Sequence, residues 1–372
     1  MIRRALVFAF VGGACGGHYS TGPTTPAKPG PGGPAGGIEA AALPYQIIDA
    51  RTGRAVETEA FWSKAAAARA ICVGEDHPNP HHHWVQLEAV KQLGHRLGGA
   101  KLALGMEMVQ RPFQGVLDDF AGKHIDEAAM RSRVGWSDRW GYDYVLYGPT
   151  IVAAVGEGAQ LLALNASDEL RKKISHHGLE SLTPDERAQV PELKLDDAAH
   201  RSWFDALMED MGGSSAHSQS KSRGAKDDAR DDADSSAGRP APGHGGDPGD
   251  EMPSADRVYT VQVIWDETMA DTGARWLAAN PGGHLILLAG NGHCHDSAII
   301  DRLKRRGVAD AISVRGVIDD GEGSVGEALA RPVNDFLVVL QMPPDVQRAD
   351  KADDKADDKH KDDTDKDDKP AK

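Results

Sequence analysis

The sequence predicts an α/β protein: a mostly parallel central sheet flanked by helices, with a helical cap segment and a disordered insertion. Three observations predict it. From about Leu43 onward, apolar runs of strand length alternate with stretches of helical periodicity. Several of those runs end in polar, titratable residues, as strands of an open parallel sheet do where they face a ligand. Two long stretches lack the large apolar residues a core needs.

The strand candidates are Tyr45–Asp49, Ala70–Val73, Leu102–Met106, Leu161–Leu164, Leu285–Ala289, Ala311–Val314 and Phe336–Leu340. The helix candidates are Pro80–Leu97, Pro112–Ala121, Ile125–Val134, Tyr144–Gly156, Ser167–His176, Pro184–Val190, Asp196–Met211, Arg257–Ala279 and Ser297–Arg306. Pro80 suits a first helical turn, where its missing N–H would have had no partner anyway. Ser167 and Thr183 stand where helix caps belong, and Gly178 and Gly307 where helices stop. The segment from Pro112 to Gly156 is too long for a simple crossover and is expected to cap the strand ends.

The N-terminus reads as an export signal. Arg3 and Arg4 precede the apolar run Ala5–Val11, which is too short to span a bilayer. Gly12-Gly13-Ala14-Cys15 resembles a bacterial lipoprotein cleavage box, with Gly12 where the pattern prefers Leu, and makes Cys15 the expected lipidation site. The organisation is then a signal peptide at 1–15, a flexible Gly/Pro/Ser/Thr tether at 16–42, and a first part of the α/β domain at 43–211. A disordered insertion follows at 212–256, a second part of the domain at 257–342, and a charged disordered tail of Lys-Ala-Asp-Asp repeats at 343–372. The formal net charge of −15 argues against nucleic acid as a partner, although much of it lies in the tail and insertion. Three cysteines make no disulfide framework. Cys72 reads as a buried strand residue, and Cys294 as a small apolar one rather than a reactive thiol.

The densest polar cluster is Gly74-Glu75-Asp76-His77-Pro78-Asn79-Pro80-His81-His82-His83, directly after the run Ala70–Val73. The run Leu102–Met106 leads into Glu107, Leu161–Leu164 into Asn165, and Leu285–Ala289 into Gly290-Asn291-Gly292-His293-Cys294-His295. In a parallel sheet all four project from one edge, so Glu75, His77, Glu107, Asn165 and His293 are expected to meet there. Glu and His bind divalent metals and move protons near neutral pH. A helix starting near Pro80 is also expected to lower nearby His pKa values. The plainer alternative has Glu75 and Glu107 capping helices and His293 satisfying a turn.

Gly74-Glu75-Asp76-His77, Asn79-Pro80, His82-His83 and Gln86 resemble the opening motif of the ChaN-like haem-binding uptake proteins of the Tiki superfamily. The resemblance continues through Leu104–Met108, Gln110–Gln114, Trp136, Trp140–Tyr144, Tyr147, Ala163–Ala166, Trp265-Asp266 and Gly290–His293. It implies an α/β fold in an exported protein, lipid-anchored in the bacterial cell envelope. It further implies haem as cofactor, with a Tyr on the iron, His or Lys groups on the propionates, and homodimerisation on haem binding. Tyr142, Tyr144 and Tyr147 are the ligand candidates, and His82, His83 and Asn165 are further candidate contacts. A phenolate is a sensible donor to ferric iron.

The same superfamily contains hydrolases, which supplies a second reading. A divalent metal held by Glu75, His77 and His293, with Glu107 as general base, would make a hydrolytic site. A structural lipoprotein with neither ligand is the third.

Overall fold

A computed structural model describes residues 43–97, 102–221 and 254–341. The expected signal peptide with Cys15, the expected tether, residues 222–253 of the expected insertion and the expected charged tail lie outside the described residues.

Eight strands form one sheet. In chain order they are β1 (Tyr45–Asp49), β2 (Arg54–Val56), β3 (Ala70–Glu75), β4 (Leu102–Gln110), β5 (Gln160–Asn165), β6 (His284–Gly290), β7 (Ile312–Asp319) and β8 (Phe336–Gln341). Their order across the sheet is β2-β1-β8-β7-β3-β6-β4-β5. The six strands from β8 to β5 pair in parallel, and β1 runs antiparallel to both β8 and β2. The expected mostly parallel sheet is present. The short edge strand β2 is an addition, since Arg54-Ala55-Val56 carries too little apolar pattern to announce itself.

The helices are α1 (Thr58–Ala67), α2 (Pro80–Leu97), α3 (Gln114–Ala121), α4 (Glu127–Val134), α5 (Trp136–Arg139), α6 (Gly148–Gly156), α7 (Asp168–His177), α8 (Pro184–Arg187), α9 (Ala198–Lys221), α10 (Ala255–Ala279), α11 (Asp301–Arg305) and α12 (Ser324–Ala330). The segment between β4 and β5 is broken into short helices. Gly135 adopts the left-handed conformation (φ 66°) that closes α4 and opens α5. The side chains of Ser167 and Thr183 accept backbone N–H groups at the starts of α7 and α8, and Glu186 completes a capping box with Thr183. Helix α9 runs to Lys221 and α10 begins at Ala255, at the two ends of the stretch read as an insertion.

The chain divides into two units, Met1–Asn165 with Met269–Lys372, and Ala166–Thr268. The smaller unit has its own apolar clusters, around Ala166, Leu170, Ile174, Val190, Val261 and Ile264, and around Phe204, Tyr259 and Val263. It also buries the pair His200–Asp266, 3.1 Å apart.

In the larger unit, β3 and β4 are buried along their whole lengths. That is why both read as continuous apolar runs rather than alternating ones. One face of the sheet packs Ile71, Val73, Leu104, Met106, Ile286, Leu288 and Val314 against α1, α2 and α6. On the other face lie Leu285 and Leu287, and Gly273 of α10 approaches so closely that a Cβ would stand 2.7 Å from Leu285 Cδ2. Each fully buried Leu, Ile or Val contributes about 1.5–3 kcal/mol.

Two connections matter for function. From β3 the chain passes through α2 to β4, on one side, whereas from β6 it passes through α11 to β7, on the other. Since β3 and β6 are neighbours, the chain diverges at their carboxyl ends. A crevice of this kind is where open α/β sheets place ligands.

Candidate functional site

Glu75 is the last residue of β3 and is fully buried. Its Oε1 lies 2.8 Å from His77 Nδ1 and accepts the Tyr147 hydroxyl at 3.0 Å. Its Oε2 lies 2.9 Å from His83 Nδ1, on the first turn of α2. That approach is an ion-pair distance without good hydrogen-bond direction, because His83 Nδ1 is also 3.2 Å from Gln86 Oε1. The other ring nitrogen of His83 lies 2.9 Å from the His77 carbonyl. One carboxylate therefore gathers two imidazoles and a phenol.

The electrostatics follow. Burial alone would raise the Glu75 carboxyl, but the charge of His83 close beside it, with the hydrogen bond and charge of His77, overcomes burial and pulls it down to about 2. Burial opposes the charged form of His77, yet its bond to Glu75 and the Glu107 charge raise it above its ordinary value. His83 is also raised against burial, by Glu75. The expected lowering of histidines at the start of α2 therefore fails for these two, because a buried carboxylate at hydrogen-bond distance outweighs a helix dipole. His82 is lowered, to about 4, but burial is the main cause, and its Nδ1 accepts the Asp76 N–H at 2.9 Å.

The second half of the site comes from β4 and β6. Glu107 lies inside β4, not beyond it, and its Oε2 accepts the Gly290 N–H at 2.7 Å. Its Oε1 is 3.5 Å from His293 Nε2. Asn165, the last residue of β5, donates its side-chain amide to the Glu107 carbonyl at 3.1 Å. Both Glu107 and His293 act electrostatically on His77. Glu75, His77, Glu107, Asn165 and His293 thus meet at one rim of the sheet, as the sequence predicts. Neither carboxylate caps a helix.

The aromatic segment closes over them. His77 is 4.8 Å from the Trp140 ring and 4.7 Å from the Tyr142 ring, between centroids. Trp136 donates its indole N–H to the Tyr142 carbonyl at 2.9 Å and packs edge-on against Tyr144 and Tyr147. The three tyrosines differ. Tyr147 is 1 % exposed and its hydroxyl is committed to Glu75. Tyr144 is buried, with the Arg131 guanidinium 4.5 Å above its ring. Burial pushes both phenols up, further raised by Glu75 for Tyr147 and by Glu127 for Tyr144. Tyr142 alone stays half-exposed; burial and the charges of Glu75 and Glu107 raise its phenol too.

Three expectations need correction. No group of three or more His, Cys, Asp or Glu stands ready to hold a metal ion among the described residues. The metal set Glu75, His77 and His293 is not assembled, since Glu75 is spent on His77, His83 and Tyr147 while His293 faces Glu107. His83 is fully buried in the Glu75 cluster, so it presents no surface to a propionate. Cys72 and Cys294 are joined in a disulfide, with Cα atoms 5.5 Å apart and 222 residues between them. With Cys15 read as part of an export leader, an even pair of cysteines remains, and that pairing was the available signal.

An α/β protein whose Glu/His cluster lies at a switch in strand order is thereby defined. Residues 61–303 match the family described as haem-binding uptake, Tiki superfamily, ChaN. The chain belongs to that family. Among solved structures it is similar to ChaN of Campylobacter jejuni, described as showing cofacial haem binding, at 15% identity and a TM-score of 0.55. The match covers 80% of this chain and 97% of that one. More distant likenesses are an erythromycin esterase EreC mutant (14% identity, TM-score 0.39, covering 80% and 83%) and the type III effector HopBA1 (11%, 0.36, 76% and 92%). A comparison with curated proteins gives no match.

Proposed function

We propose that this protein binds ferric haem in the bacterial cell envelope for haem or iron uptake, with Tyr142 as the iron ligand. The observation that carries the reading is the state of the three tyrosines. Tyr144 and Tyr147 are buried, whereas Tyr142 keeps a half-exposed phenol beside His77 and Trp140. Haem would supply a ferric centre, a hard cation suited to an anionic oxygen donor. The chain does the rest. His77, which Glu75 and Glu107 push towards its charged form, lies beside the phenol and when protonated would offset the charge of a phenolate. Trp140 offers a flat apolar wall, and Val145 and Val152 are exposed apolar residues following Tyr142.

Family membership and the described face-to-face haem pairing in the Campylobacter jejuni relative support a homodimer formed on loading. The Cys72–Cys294 bridge supports an oxidising, exported location, and lipidation at Cys15 would anchor the chain. The test is haem titration followed by absorbance. Tyr142→Phe is expected to remove the phenolate-to-iron charge-transfer band, while Tyr144→Phe keeps it. A Tyr142→Phe complex with the wild-type spectrum would end the proposal.

A second reading is hydrolysis at the same rim without a bound metal. The Glu107–His293 pair favours it, since a carboxylate-oriented imidazole is the arrangement of a general base. An ester panel assayed with wild type and His293→Ala decides it: activity must be present and lost on substitution.

A further inference from the structure

His83 stands on the first turn of α2 and is fully buried. Both nitrogens of its ring face oxygen. Nε2 lies 2.9 Å from the His77 carbonyl, which can only accept, so Nε2 carries a proton. Nδ1 lies 2.9 Å from Glu75 Oε2 and 3.2 Å from Gln86 Oε1. The Gln86 amide cannot turn round to offer Nδ1 a donor, because its own Nε2 donates to the Val73 carbonyl at 3.2 Å. Moving the proton from Nδ1 to Glu75 would leave a bare nitrogen against Gln86 Oε1, two acceptors face to face. Each ring nitrogen therefore meets an acceptor, and only an imidazolium supplies two donors.

The groups around the ring accord with that charge. Glu75 approaches from β3, and Tyr147 from the segment before α6, its ring centroid 4.3 Å from that of His83. His82 stands beside it on α2, and the His77 imidazole binds the same carboxylate. Burial opposes a charged His83, and Glu75 outweighs burial. The dependence runs both ways, since a carboxylate withdrawn from water takes up a proton unless a cation stands beside it. Glu75 in turn accepts the Tyr147 hydroxyl at 3.0 Å. Tyr147 packs edge-on against Trp136, whose indole N–H holds the Tyr142 carbonyl at 2.9 Å. A run of direct contacts thus leads from His83 to Tyr142.

We infer that His83 is held as an imidazolium in the folded protein and serves as a positioning residue for Tyr142. Its charge keeps Glu75 ionised, the ionised Glu75 holds Tyr147, and Tyr147 seats the segment that presents the Tyr142 phenol. The charged state of His83 stands on its hydrogen-bond partners alone. Its service to Tyr142 as an iron ligand rests on the haem reading. A histidine too deeply buried to touch a ligand thereby acquires a task in binding one.

The experiment uses the full chain as wild type, His83→Gln, Glu75→Gln and the double variant, with ferric haem as the probe. Without haem, nitrogen NMR of wild type, assigned from the His83 backbone, should give its two ring nitrogens closely similar shifts, the imidazolium pattern, at neutral pH. The widely split pattern of a neutral ring overturns the inference, and this arm needs no variant. In urea each single variant should unfold before wild type, and the double variant no earlier than the weaker single, because the cation has nothing left to compensate once the carboxylate is gone. Additive losses overturn it. His83→Gln should bind haem about tenfold more weakly. The double variant should recover part of that loss, since an uncharged amide at position 75 still accepts the Tyr147 hydroxyl without a counter-ion. A merely packing role for His83 would give no recovery, and unaltered haem affinity in folded His83→Gln overturns the positioning role. Failure of wild type to bind haem overturns the proposed function alone, and the NMR and urea arms still decide the charge of His83.

Discussion

Tyr147 donates its hydroxyl to the buried Oε1 of Glu75 at 3.0 Å, joining positions 72 residues apart. The contact locks the aromatic segment onto the end of β3. Removing the donor alone leaves Glu75 with His77 and His83, so Tyr147→Phe should cost about 1 kcal/mol. Glu75→Gln dissolves two charge-assisted contacts at once and leaves two buried imidazoles without their carboxylate. It should cost about 3–5 kcal/mol. Urea unfolding of both variants checks the ranking; equal losses would show that the carboxylate is not the centre of the cluster.

Acid should destabilise the fold in two stages. His82 is held down to about 4 against an ordinary 6.5, chiefly by burial, so the unfolded chain takes up that proton first. Stability therefore falls as pH drops from 6.5 towards 4, by at most ~3 kcal/mol from this group. Glu75 is held at about 2 against 4.5, so its contribution is complete above 4.5 and is lost as pH falls towards 2. His77 and His83 run the other way. Raised in the fold, they stabilise fully below 6.5 and lose that contribution as pH rises through their folded values. His82→Asn, which keeps an acceptor for the Asp76 N–H, should flatten the first acid limb and leave the second. Melting temperatures between pH 7 and 3 would show a persisting first limb if the assignment is wrong.

Much of this site was legible because it hangs on strand ends. A parallel strand buried on both faces announces itself as an unbroken apolar run, and the polar residue that stops the run must lie at the rim. Glu75, Glu107, Asn165 and His293 were found that way. What strand ends do not reveal is what reaches them from elsewhere. Tyr147 looked interchangeable with Tyr142 and Tyr144, since three tyrosines within six residues carry no sign of which one turns inward. Helices α1 and α12 were missed for a different reason: short and rich in alanine, they carry few large apolar residues to set a period.

The disulfide ties β3 to the turn that presents His293. Breaking a crosslink across 222 residues should cost about 2–5 kcal/mol, since the unfolded chain regains the freedom the loop had removed. Cys72→Ala with Cys294→Ala should lower the melting temperature, and reduction of wild type should reproduce the shift. If the double variant melts like wild type, the bridge adds nothing to the fold. Because Cys294 adjoins His293, the loosened turn should also weaken ligand binding more than the Tyr147→Phe change does.

Gly74 tests the close approach of the two halves. Its backbone lies under the turn after β6: a Cβ would collide with Asn291 Oδ1 and stand 3.2 Å from Cys294 Cβ. The Cys294 atom is fixed by the disulfide, so Asn291 must yield, and yielding breaks its 2.8 Å bond to Asp76. Gly74→Ala should therefore cost about 1–3 kcal/mol by overpacking. Adding Asn291→Ala removes the obstructing amide, so the double variant should recover part of the loss. Unfolding curves for both single variants and the pair would give that coupling directly. Strictly additive losses would mean that Gly74 is needed for the Cys294 contact alone, and that the Asn291–Asp76 bond plays no part in seating the turn.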